Sequence, residues 1–149
     1  ADLSFDDIFN TTTLASFGSS EADGVFGGAS LSAVINGTAN PNCAFLEAIQ
    51  PGSGNNVCQG NGAGNSRAAD ELRELGVQTV ASLQNAATAV PFRFSVGDVK
   101  SGFEAAVASA LDQENWKPLK DQAGIFENEN TLTYWQNADP SWRDRLKAT

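Results

Sequence analysis

Histidine is missing from all 149 residues of this chain. Without imidazole there is no Ser-His-Asp or Cys-His triad, no histidine-ligated zinc, copper or haem, and no side chain whose ordinary titration falls near neutral pH. Any catalysis would run on carboxylates, lysines, hydroxyls or backbone dipoles. Basic residues are absent from the first 66 positions, which hold six acids; all nine lysines and arginines lie from Arg67 onward, and the net charge is −9. Counterion release from nucleic acid needs clustered Lys and Arg, so nucleic acid is not an expected partner. No apolar run approaches the roughly 18–20 residues that a membrane-spanning helix requires.

Methionine is also absent, the chain begins at Ala1, and cysteine occurs only twice, at Cys43 and Cys58. These two flank a stretch rich in Gly, Asn and Pro that cannot order itself by hydrophobic burial. A bridge there would close a loop of about 15 residues and stabilise by about 3 kcal/mol through chain entropy. It would also imply an oxidising compartment. Two N-glycosylation sequons, Asn10-Thr11-Thr12 and Asn36-Gly37-Thr38, point the same way. The expected location is therefore extracytoplasmic: secreted, periplasmic or in an organelle lumen. An initial Ala-Asp fits a signal-cleaved, acidic protein.

The length fits one domain spanning residues 1–149, with a loop-rich acidic half (1–65) and a helical half (66–149). Phe5, Ile8 and Phe9 are spaced to share a helical face, with Asp6 and Asp7 in its first turn. Phe17, Val25 and Phe26 read as apolar anchors in a glycine-rich loop. Leu31, Ala33 and Ile35 alternate with Ser30, Ser32 and Val34, the pattern of a short strand ending in the turn signal Asn36-Gly37. Ala44 to Ile49 is long enough for a helical turn or two.

Beyond residue 65 the pattern is more regular. Ser66 caps a helix carrying Asp70 and Glu71 early and Leu72, Gly76, Val80, Leu83, Ala87 and Val90 at three- and four-residue steps. Gly76 is a point where it could split, and Pro91 ends it. Ser95-x-x-Asp98 reads as a capping box for a second helix with the stripe Val96, Val99, Phe103, Val107, Ala110 and Leu111. Thr131 to Trp135 is β-branched and aromatic enough for a short strand or an extended arm. Asp139-Pro140 marks a further helix start, with Arg143, Arg145 and Lys147 near its end. The expected fold is mostly α, with α+β as the alternative: a small helical domain with a long disulfide-pinned loop and a few short strands.

No constellation of catalytic residues emerges. Asp70 and Glu74 share a helix face with Arg67 and Arg73, which fits a solvated surface better than a carboxylate dyad. Asp98 and Glu104 are the other acids near a helix. The runs Glu127-Asn128-Glu129-Asn130 and Asp112-Gln113-Glu114-Asn115 are oxygen-rich but lack the spaced acids and central glycine of a calcium loop. Gly60-Asn61-Gly62-Ala63-Gly64 follows no apolar strand and is not closed by Gly-Lys-Ser/Thr. No lysine has serine three positions upstream. No metal and no cofactor is expected.

Trp116, Tyr134, Trp135 and Trp142 are concentrated among Asn, Gln, Asp and Glu near the C-terminus, a composition used by protein interfaces and sugar-stacking platforms. The reading is a non-enzymatic binding or structural domain, an accessory subunit docking on a larger protein assembly through these aromatics. The alternatives are a secreted carboxylate-dependent enzyme acting on carbohydrate and a secreted effector or toxin.

Overall fold

The computed structural model describes residues 4–9, 25–51, 66–88 and 91–138, with the side chains of 6, 7 and 133–138 outside that description. The described residues build a mostly helical fold, in which α1 (Phe5–Phe9), α2 (Leu31–Ile35) and α3 (Cys43–Ile49) are short. Three longer helices follow: α4 (Arg67–Ala87), α5 (Val96–Gln113) and α6 (Lys117–Ala138). α4 packs most extensively on α6, α5 contacts both, and α2 lies on α4.

The long helices begin where their capping chemistry says they should. Ser66 Oγ accepts from the Ala69 amide, and Asp70 complements the dipole of the first turn. At α5 both halves of the capping box form: Ser95 Oγ accepts from Asp98 N at 3.1 Å, and the Asp98 carboxylate accepts from Ser95 N at 3.1 Å. The stripe within α5 buries Val99, Phe103, Val107 and Ala110, while Val96 is exposed. α5 stops at Glu114, whose left-handed φ of 51° turns the chain; Asn115 Oδ1 then accepts from Lys117 N at 2.8 Å and opens α6.

Two strand expectations are overturned. Residues 31–35 are helical because Ser30 Oγ accepts from Ala33 N at 3.1 Å, a cap that starts a helix in place of a ladder. Val34, which a strand would turn away from Leu31 and Ile35, is the residue α2 buries. Asn36-Gly37 is the end of this helix: Gly37 takes φ 72°, and the Gly37 and Thr38 amides donate to the carbonyls of Val34 and Ala33. Likewise Thr131 to Trp135 continues α6, because extending an established helix costs far less than starting a new element. Among the described residues the extended pairing is an isolated bridge between Ser4 and Ser30.

Gly76 does not split α4 either. A Cβ at this position would come within 2.6 Å of Phe26 Cζ and 2.8 Å of Val34 Cγ1. The missing side chain lets the Val25–Gly28 turn and α2 press against the helix, which outweighs the propensity cost of glycine. Phe26 passes this contact on: its ring meets Phe5 edge-on at 4.8 Å, and Phe5 and Phe9 close on Phe103 of α5 at 5.1 and 4.7 Å. Such pairs contribute about 0.5–1.5 kcal/mol each beyond area burial. The buried apolar residues from Phe5 to Phe126 form one connected cluster.

Three backbone hydrogen bonds hold the early segments in place: Phe5 N to Ala29 O at 2.9 Å, Ala29 N to Phe26 O at 3.0 Å and Asn42 N to Val25 O at 2.8 Å. Gln50 Oε1 then accepts from Ala68 N at 2.8 Å, joining the end of α3 to the start of α4. Cys43 is the exposed first residue of α3, whereas Cys58 lies outside the described residues, and the pinned loop is a proposal taken up below. Phe17, Val90 and the helix expected after Asp139-Pro140, with its Arg143, Arg145 and Lys147, also lie outside them.

Two glycines in helix interiors should respond oppositely to alanine. Gly76→Ala gains about 1 kcal/mol of helix propensity but forces apart fully buried groups, an overpacking cost of typically 1–3 kcal/mol, so the net expectation is destabilisation. Gly124→Ala meets nothing within 4 Å and should stabilise by up to about 1 kcal/mol. Urea unfolding of the two variants checks both signs.

Candidate functional site

Of the four aromatics, Trp116 has a described side chain, and the length of α6 sets its backbone apart from those of Tyr134 and Trp135. Trp116 stands at the corner before α6, half-buried against the core, with the Arg67 guanidinium 4.7 Å from its ring centroid. Arg67 is held in turn by Glu71 at 2.8 Å. Tyr134 and Trp135 sit near the far end of α6, about 27 Å away at 1.5 Å per residue, and their side chains lie outside the described residues. Trp142 also lies outside them. Trp116 thus serves to close the corner where α4, α5 and α6 meet.

The carboxylates that could have formed a catalytic pair have local partners. Asp98 belongs to the capping box, Glu71 pairs with Arg67, Arg73 reaches Asp70 at 3.8 Å, and Glu74 accepts from Gln78 at 3.2 Å. Glu104, half-buried on α5, has its carboxyl pushed above the ordinary range by desolvation, an effect that Lys100 one turn earlier partly offsets. Among the described residues no group of three or more His, Cys, Asp or Glu side chains is placed to hold a metal ion. Gly60 to Gly64 lies outside the described residues, and in the helix that follows, the Ala68 and Ala69 amides are already taken by Gln50 and Ser66.

Glu127-Asn128-Glu129-Asn130 lies within α6, where successive side chains point about 100° apart, so it cannot converge on one cation. Glu129 reaches Arg93 at 3.3 Å, on the connector that lays Phe94 against Phe126. Asn130 turns the other way, into α4. Its Oδ1 accepts from Asn85 Nδ2 at 2.9 Å and Ser82 Oγ at 3.2 Å, and its Nδ2 donates to Gln78 O at 3.1 Å and Gln78 Oε1 at 2.9 Å. All four hydrogen-bonding positions of the amide are used. Sequence reading took this residue for part of a polar run; the one available signal was its position four residues after buried Phe126 on an inward-turning face. Beside this network, the fully buried Thr79 hydroxyl has no hydrogen-bond partner among the described residues.

Among the described residues, the outer face of α5 and α6 is open to a partner. Between them runs a groove of about 370 Å³ with Ala106 and Ser109 along α5 and Asp121, Gln122 and Ile125 along α6. The helices come close here because Gly102 leaves room for Gln122 and Phe126, each 3.1 Å from where its Cβ would be. Ile125 at the groove is 46% exposed, and Leu132, seven residues on and near the same face, is 53% exposed. This apolar ridge beside a polar groove is the candidate binding surface. Sequence reading missed it because it placed no helix between Trp116 and Thr131 and read Thr131 to Trp135 as a strand or arm, so Ile125 and Leu132 were not seen to share a helix face.

The Asn130 network makes opposite predictions at adjacent positions. Asn130→Ala strands the partly buried groups of Gln78, Ser82 and Asn85 and should cost about 1–3 kcal/mol. Thr79→Val keeps the shape, removes the unpartnered hydroxyl and should stabilise by about 1 kcal/mol. Chemical denaturation measures both.

Comparison with protein-family models, with curated proteins and with solved structures yields no match for this chain.

Proposed function

We propose that this chain is a non-enzymatic, extracytoplasmic binding or structural domain, an accessory subunit that docks on a protein partner through the outer face of α6. The observation that carries this reading is the exposure of Ile125 and Leu132 on one face of a 22-residue helix, beside the α5–α6 groove. Isolated exposed hydrophobics are ordinary, but two of them two turns apart make the i, i+7 spacing by which helix faces engage partners. Tyr134 and Trp135 follow on the same helix, towards its C-terminus.

The location is part of the proposal. Cys43 is not a free thiol, and Cys58 is the other cysteine of the chain; both facts support a bridge that pins the segment between them and an oxidising compartment. The acidic composition and the sequons support the same location. No described helix is long and apolar enough to cross a membrane.

Native mass spectrometry of the unreduced protein from its source tests the reading. The expected result is a complex with other subunits, and a chain mass lower by the two hydrogens that a disulfide removes. Introducing Ile125→Glu with Leu132→Glu should abolish that complex while changing fold stability by no more than about 0.5 kcal/mol per site, because both side chains face solvent. A double variant that still assembles contradicts the assignment to α6.

A further inference from the structure

The sequon Asn36-Gly37-Thr38 is not used by the docking reading, and its placement in the fold is specific. Asn36 caps the C-terminus of α2 with its backbone amide donating to Ser32 O and Val34 O, so the backbone is fixed. The residue is exposed and its carboxamide makes no hydrogen bond to the described residues. Gly37 follows with φ 72°, and a Cβ there would meet nothing within 4 Å, so the chain beyond Asn36 bends away and leaves open space. Thr38 is also exposed; its hydroxyl donates only to the Ala33 carbonyl, at 3.2 Å, a single surface hydrogen bond that water or an enzyme can replace.

We propose that Asn36 is the acceptor of an N-linked oligosaccharide, carried on the solvent side of α2. The inference rests on the extracytoplasmic reading above. The donor is an oligosaccharide linked through pyrophosphate to a lipid. Asn36 Nδ2 attacks the anomeric carbon, the C–N bond forms as the C–O bond to pyrophosphate breaks, one Nδ2 proton is lost, and the lipid pyrophosphate departs. The Thr38 hydroxyl, two residues on, is the group by which such a transferase recognises the sequon.

The fold makes the modification compatible with both stability and docking. α2 anchors itself through Val34, buried at the Gly76 seam of α4, so a glycan on Asn36 displaces no core contact. Ile125 and Leu132 belong to α6 and the groove to α5 and α6, so the glycan marks a different element from the proposed interface.

The test expresses the full chain behind a cleavable secretion leader in a eukaryotic secretory host, with Asn10→Gln so that a single sequon remains. Release of glycans by peptide N-glycosidase in heavy-oxygen water should leave a labelled aspartate at position 36, and Asn36→Gln and Thr38→Ala should each abolish the glycan completely while leaving the far-UV circular dichroism of a helical protein unchanged. An unmodified Asn36 in the secreted Asn10→Gln protein overturns the proposal. Source-derived protein that is unmodified beside a glycosylated recombinant protein also overturns the proposal, whereas source-derived protein whose two cysteines are both free thiols counts against the extracytoplasmic reading, so the two failures are distinguishable.

Discussion

The contact at Gly76 is the constraint on which the rest of this structure depends. Three long helices alone would make an open bundle with one side of α4 and α5 uncovered. The early part of the chain covers it by close approach: Phe26 and Val34 occupy the volume a side chain at position 76 would have filled. Phe26 then supports Phe5, and Phe5 and Phe9 lie on Phe103. A helix of five residues, too short to hold together alone, is thereby kept in place by packing. Other seams use the same economy, with Gly102 admitting Gln122 and Phe126.

The opposite seam, between α4 and α6, is held by a polar rule. Asn130 satisfies every donor and acceptor of its amide against Gln78, Ser82 and Asn85, which fixes the register of the longest helix on its neighbour. With α6 fixed on that side, its other side is free to carry Ile125 and Leu132 into solvent. The candidate interface is therefore a consequence of how the helix is oriented, and it could not have been read from residue types.

Where local chemistry decides structure, the sequence was legible. Ser66, the Ser95-x-x-Asp98 box and the apolar periods of α4 and α5 located two helices, and the spacing of Phe5, Ile8 and Phe9 located α1. Where tertiary packing decides, it was not. Leu31-Ser32-Ala33-Val34-Ile35 carries an alternation that suits a strand, and only the Ser30 cap and the pocket for Val34 choose the helix. Gly76 looked like a break because propensity is a property of one helix, whereas its role lies in what two other segments place against it. The length of α6, which sequence reading did not place, sets the backbone of Trp116 apart from those of Tyr134 and Trp135. The carboxylates kept their expected role as surface partners of Arg67 and Arg73.

Hydrogen exchange of the native protein, followed by mass spectrometry, tests the central claim most directly. If the early segments are locked onto α4 and α5 through the Gly76 seam and the phenylalanine cluster, the amides of Phe5, Ala29 and Asn42, which make the three tethering hydrogen bonds, will exchange as slowly as those in the middle of α4 and α5. Rapid exchange of these three amides, with α4, α5 and α6 still protected, would show that the long helices stand without them and would contradict the account.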